Sequence, residues 1–206
     1  MCGRYYVDDD TAKEIEKLVR LAEEKSSAAP ALKLSAKDIH PSEIAPVLAV
    51  KDGGSRICCR MQRWGFTVAE NNTGSAEKKL IFNARSETVT EKRMFSDAVA
   101  RRRAVIPATW FYEWNRNKEK NIFYRKEKPV LFMAGFYNLY PDGEHFVILT
   151  TRANESMEAV HNRMPLLLED GEILPWITQP DRTQDFLHKV PGLLERRSEY
   201  EQISLF

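Results

Sequence analysis

Between residues 44 and 151 the chain keeps returning to one pattern, a short run rich in β-branched and aromatic residues followed by turn formers. The runs at 44–50, 56–64, 103–108, 111–115, 130–137 and 145–151 each suit a strand packed on a pleated sheet. Asp52-Gly53-Gly54 and Pro141-Asp142-Gly143 supply hairpin connections between neighbours. Helical spacing is confined to a few stretches. Ile15, Leu18, Val19 and Ala22 predict an amphipathic helix over 11–25, capped by Thr11 and the aspartates before it. Short helices are predicted at 91–102 and at 154–160, the latter opened by Asn154, while 26–40 reads as a loop. Strands in runs with helices inserted predict an α+β domain rich in antiparallel pairing, and argue against alternating parallel βα units. With no repeat and no Pro-, Gly- or Ser-rich linker, one domain over 1–206 is expected.

Charge narrows the range of partners. Lys plus Arg is 31 against 30 for Asp plus Glu, so a net charge of +1 gives no chain-wide attraction for nucleic acid or a membrane. A polyanion must be met by a local patch. Basic residues gather at Arg56, Arg60 and Arg63, at Arg101-Arg102-Arg103, and across 116–128, some beside Trp64, Phe123 and Tyr124. Cations interleaved with aromatic rings are what single-stranded nucleic-acid grooves use, although a solvated charged face gives the same pattern. The longest apolar run, Val130 to Tyr137, is too short to cross a bilayer, and the early Asp8-Asp9-Asp10 does not fit a signal peptide. Three cysteines are an odd count, and adjacent Cys58 and Cys59 in a strand face opposite ways, so no disulfide framework is expected and a reducing cytoplasm fits. No Cys-x-x-Cys occurs and His40, His145, His161 and His188 are scattered, so neither a metal nor a cofactor is implied.

The second residue is a cysteine, in Met1-Cys2-Gly3-Arg4. Loss of Met1 would leave an amine and a thiol on one two-carbon unit, a trap for aldehydes. An amine with a pKa of about 8 can form a Schiff base at neutral pH, and the thiol can close on the imine carbon to give a thiazolidine. Three other places carry matching chemistry. Glu113 lies within Trp110-Phe111-Tyr112-Glu113-Trp114, and a strand there puts Phe111, Glu113 and Asn115 on one face. A carboxylate desolvated by aromatic rings can act as a general acid near neutrality; the alternative is a surface glutamate. His161, ahead of Asn162-Arg163-Met164-Pro165, can shuttle a proton or simply interact with the last carbonyls of a helix. Asn83-Ala84-Arg85-Ser86-Glu87 offers an amide that can hold an amine and a guanidinium that can fork onto phosphate, or else a turn asparagine and a solvated arginine.

Taken together, Met1-Cys2-Gly3-Arg4, Asn83-Ala84-Arg85-Ser86-Glu87-Thr88, Phe111-Tyr112-Glu113-Trp114 and His161-Asn162-Arg163-Met164-Pro165 closely resemble the SRAP family of SOS-response-associated peptidases, known as abasic-site processing proteins. Trp64-Gly65-Phe66 and Arg93-Met94-Phe95 also look like family segments, whereas the last 40 residues match only loosely. The resemblance implies a single domain with a mixed, mainly antiparallel, barrel-like β core and flanking helices. It implies a monomer that binds single-stranded DNA and links its processed Cys2 to the ring-opened aldehyde of an abasic site. By the same likeness Asn83 positions the amine, Glu113 is general acid/base and His161 assists proton transfer, while Arg4, Arg85, Arg163 and Pro41 meet DNA. The peptidase label corresponds to removal of Met1, and the location is the cytoplasm, at the nucleoid during DNA damage. Two stretches depart from the family pattern: Asp38-Ile39-His40-Pro41 keeps only the proline, and Thr67 to Asn72 stands where members present tryptophans that stack on bases. Two other readings remain open, a thiol peptidase or N-terminal-nucleophile amidase using Cys2, His161 and Asn83, and a non-catalytic module that binds single strands.

Overall fold

The computed structural model describes residues 2–22, 35–50, 57–69 and 78–198. Among them the first strand, β1 (Tyr5–Val7), leads into helix α1 (Asp9–Ala22) and then strands β2 (Lys37–Ile39), β3 (Ile44–Val50), β4 (Ile57–Trp64), β5 (Phe66–Ala69), β6 (Lys78–Ile81) and β7 (Asn83–Arg85). Helix α2 (Arg93–Arg101) precedes β8 (Arg103–Ala108), β9 (Trp110–Trp114), β10 (Lys120–Tyr124), β11 (Leu131–Tyr140), β12 (Gly143–Arg152), β13 (Arg163–Pro165) and β14 (Leu167–Leu168). Helices α3 (Asp170–Thr178) and α4 (Thr183–Leu187) and strand β15 (Glu195–Ser198) complete the order.

Five strands close on themselves. β3 pairs antiparallel with β4 and with β8, β8 with β11, and β11 with β12, and β12 returns to β4 in parallel register with Phe146 opposite Trp64. The expected α+β class with a mixed, mainly antiparallel, barrel-like core is what forms. Pairing of Tyr140 with Gly143 makes the β11–β12 connection a two-residue hairpin loop of Pro141 and Asp142, as its turn residues imply. The turn expected at Asp52-Gly53-Gly54 lies outside the described residues, although the flanking strands pair from Val50 with Ile57 onward. Close strand approach explains Gly135: a Cβ there would sit 2.5 Å from both Ile106 Cδ1 and the Val147 carbonyl oxygen.

Alternation along the ring strands feeds two cores. Leu48, Val105, Phe132, Phe136, Val147 and Leu149 meet Ile15 and Val19 of α1, Phe95 of α2 and Trp176 of α3. Their neighbours Val47, Ala49, Ile106, Met133, Phe146 and Ile148 meet a smaller sheet of order β15-β10-β9-β1-β2 through Tyr5, Phe111 and Phe123. Cys2 belongs to this second core.

Helix α1 starts two residues before the expected position because the Asp8 carboxylate accepts from the backbone N–H groups of Asp10 and Thr11, both at 3.1 Å, and so caps the first turn. The predicted helix at 154–160 does not form. Asn154 does receive backbone bonds from Met157 and Glu158, but its side chain also binds the carbonyls of Pro191 and Gly192, and the segment stays a series of turns held to the chain before β15. The expected loop at 26–40 contains β2 at its end.

The basic triplet Arg101-Arg102-Arg103 serves the fold instead of a polyanion. Arg103, 5% exposed, donates to the carbonyls of Val99 and Ala100 at the end of α2 and to those of Trp176 and Ile177 at the end of α3. One guanidinium thus satisfies the carbonyl ends of two helices and complements both dipoles. Arg101 and Arg102 both pair with Asp97. Replacing Arg103 with Met strands those carbonyls, and a loss of roughly 3 kcal/mol is expected. Calorimetry should then show unfolding about 6–12 °C below the parent.

Candidate active site

Residues 2–4 run beside the second half of β9. Tyr5 pairs with Phe111, and the Tyr112 N–H donates to the Arg4 carbonyl at 3.0 Å, which brings the start of the chain alongside Glu113. Phe111 and Glu113 do share the inward face, at 0% and 4% exposure. Asn83 arrives from a different part of the fold. β7 lies parallel to β12, with Asn83 opposite Ile148, and the residue before it is held by a 2.8 Å bond from the Trp64 indole N–H to the Phe82 carbonyl. From that position Asn83 Nδ2 donates to the Cys2 carbonyl at 2.7 Å. Its Oδ1 is buried with no hydrogen-bond partner among the described residues. Met1 lies outside them.

The Cys2 thiol is sealed in, at 1% exposure, and its nearest acceptor is the Arg4 carbonyl at 3.7 Å from Sγ. Burial pushes its pKa up to about 12, and the negative charge of Glu113 adds to the shift. Cys2, Glu113 and Asn83 are therefore one electrostatic and hydrogen-bonded group. Tyr5 adjoins it: its phenol is wholly buried, and burial followed by the charge of Cys2 holds its pKa well above the ordinary value.

His161 stands at the end of the turns after β12, between Val160 and Met164, both of which pack in the same core as Cys2. The Arg163 N–H lies 2.9 Å from Nδ1 and the Arg163 carbonyl 3.2 Å from the same nitrogen, so the ring is held to the backbone of Arg163. The expected DNA-contacting arginines differ in what they already hold. Arg163 forks onto Glu87, at 2.5 and 2.8 Å, and also donates to the Thr150 carbonyl. Arg4 pairs with Asp38 and lies 4.8 Å over the Tyr112 ring. Arg85 is exposed and makes no ion pair among the described residues. Pro41, half-buried, sits in the turn before β3, where Ser42 at φ 78° donates its N–H to the Trp64 carbonyl at 2.7 Å.

The carboxylates on these arginines titrate low. The Arg163 hydrogen bond is the main cause for Glu87; for Asp38, burial acts upward but bonds from Arg4 and Tyr112 outweigh it. Their support of the fold is present above the usual carboxylate range and is lost as pH falls through the lowered values. Sequence patterns do not reveal that these two acids pair with Arg4 and Arg163, nor the indole bond of Trp64, because each depends on a contact distant in the chain. Among the described residues no group of three or more His, Cys, Asp or Glu is placed to hold a metal, and no helix is long and apolar enough to cross a membrane.

Comparison with known proteins places this geometry in context. The family described as SOS response associated peptidase (SRAP) matches residues 1–204. The chain is 33% identical over 166 residues to the abasic site processing protein YoqW of Bacillus subtilis, covering 74% of each chain. It is 26% identical over 189 residues to the abasic site processing protein YedK of Escherichia coli, covering 87% of this chain and 80% of that one. A protein from Bordetella bronchiseptica of known crystal structure superposes with a TM-score of 0.71 at 25% identity, over 96% of this chain and 99% of that one.

A thiol with a pKa of about 12 is ionised to only about one part in ten thousand at pH 8. Iodoacetamide should therefore label Cys2 in the folded full-length chain far more slowly than in the urea-unfolded chain, as followed by peptide mass. Equal rates would mean that the thiol is not sealed.

Proposed function

The chain belongs to the SRAP family, and on that footing we propose that it captures abasic sites in single-stranded DNA as a covalent crosslink through Cys2. The observation that carries the reading is the convergence of Cys2, Asn83 and Glu113 from three separate segments. Loss of Met1, by self-cleavage or by a cellular aminopeptidase, frees the Cys2 amine. Asn83 Oδ1, a buried acceptor, suits one of its protons, while Nδ2 keeps hold of the Cys2 carbonyl.

The amine adds to C1′ of the ring-opened sugar, and water leaves as the imine forms. Sulfur then bonds to the same carbon, its proton passing to nitrogen, and the product is a thiazolidine. Glu113 supplies and takes back the protons for ring opening and dehydration, with His161 as a second proton carrier near the sugar. A thiol peptidase needs a preformed thiolate, and a neutral buried thiol beside a carboxylate is poorly suited to that task. It is well suited to act second, on an imine already formed. The protein works as a monomer and as one domain, in the cytoplasm, without a cofactor, and the crosslink shields the lesion from strand cleavage.

Denaturing gels with a single-stranded abasic oligonucleotide test this directly. Correctly processed protein should give a shifted band that is lost in Cys2→Ala and with an undamaged strand; no band from protein shown by mass to lack Met1 would defeat the reading. Glu113→Gln keeps the shape but not the acid, and adduct formation should slow by about 10²–10⁴-fold with noncovalent affinity nearly unchanged.

Phosphate contacts are expected to follow the ion pairs. Arg85→Ala should weaken noncovalent binding and lower the salt slope by about one. Glu87→Gln, which releases Arg163, should strengthen binding instead. Weaker binding in Glu87→Gln would show that the Arg163–Glu87 fork itself is needed for DNA.

A further inference from the structure

The smaller sheet buries one face and turns the other outward. Since Phe111, Glu113 and Phe123 point inward, Trp110 and Trp114 of β9 point out with Tyr6 of β1 and Tyr124 of β10 beside them, while Tyr112 on the same side is covered, at 6% exposure. These rings are arranged as platforms. Tyr6 lies flat on Trp110, with centroids 4.1 Å apart and planes 3° from parallel. Tyr112 is flanked by the Arg4 guanidinium at 4.8 Å and the Lys120 ammonium at 5.6 Å. Beside Trp110 is a depression of about 370 Å³ that includes Ile122 and Tyr124 and is bordered by Lys126 and Arg197. Arg125 and Lys128 on the same rim are held by Glu169, whereas Lys126 and Arg197 make no ion pair among the described residues.

This face is the reverse of the sheet side that buries Cys2 and Glu113; Arg4 lies over the Tyr112 ring on it, and it continues along β9 to Trp110. Four residues of strand from Trp114 to Trp110 cover about 14 Å. Flat rings with unneutralised cations at their edge match a nucleic-acid single strand, whose bases stack on aromatics and whose phosphates need positive charge. We infer that this face binds the undamaged single-stranded flank of the DNA as it leaves the lesion, with a base on the Trp110–Tyr6 platform and phosphates on Lys126 and Arg197. The inference rests on the abasic-site reading above and adds a second region of contact, remote from the chemistry.

Two abasic oligonucleotides test it, one trimmed close to the lesion and one with long single-stranded flanks on both sides, with an undamaged long strand alongside. Fluorescence anisotropy gives noncovalent affinity, and denaturing gels give adduct rates. Wild-type protein should prefer the long strand. Trp110→Ala and the double charge reversal Lys126→Glu/Arg197→Glu should each cut that preference about tenfold, with the adduct rate on the trimmed strand unchanged. Variants that keep the full preference would overturn the inference while leaving the crosslink intact. Absence of any wild-type adduct would instead defeat the reading of the site, and the undamaged strand would still report on the face. Should Trp110→Ala fail to fold, the charge-reversed protein, altered only at rim cations, decides the matter.

Discussion

The buried indole of Trp64 ties together parts of the chain that would otherwise have no reason to meet. Its N–H fixes the carbonyl of Phe82, its ring packs on Tyr5 at 5.1 Å and on Phe146 at 6.1 Å, and its backbone holds the turn around Pro41 through Ser42 and Glu43. Each contact sets a neighbour of the site: Phe82 precedes Asn83, Tyr5 follows Arg4, and Phe146 lies on the strand that carries β7. Gly65 follows at φ 118°, where a Cβ would come within 2.6 Å of Leu80, so the chain can leave the indole sharply only as glycine. A large ring with one polar atom combines apolar burial with a directed bond, which suits it to hold loops whose own backbone bonds are few.

Much of this arrangement is legible in local pattern. Strands at Ile44–Val50 and Arg103–Ala108 fall where β-branched residues place them, and alternation alone puts Phe111 and Glu113 on a common face. What escapes is whatever depends on partners far along the chain. Asn154 looks like a helix cap, yet its amide is drawn to Pro191 and Gly192, and the helix does not propagate. Three adjacent arginines look like a polyanion patch until the ends of α2 and α3 are seen to converge on Arg103. The parallel pairing of β7 with β12 has no local signal at all, although it sets the position of Asn83.

The cations around the site show why motif and function are not the same statement. Arg4, Arg85 and Arg163 belong to three sequence blocks of one likeness, but among the described residues two of them carry a carboxylate partner and one does not. Asp38 and Glu87 keep their arginines extended and oriented at the cost of some of their charge. On the proposed reading, a phosphate reaching Arg4 or Arg163 would compete with a tethered acid, whereas at Arg85 it would not.

Strand β12 borders β4, β7, β11 and β13, so it closes the ring and also seats the segments bearing Asn83 and Arg163. Its residues come late in the chain, while the cysteine they help to frame comes at the start. Cys2 therefore reaches its surroundings only after distant segments have paired, and until then its thiol is as accessible as in any unfolded chain. Burial of the thiol is the final result of ring closure, which makes the completed barrel, and no local element, the timer of this site.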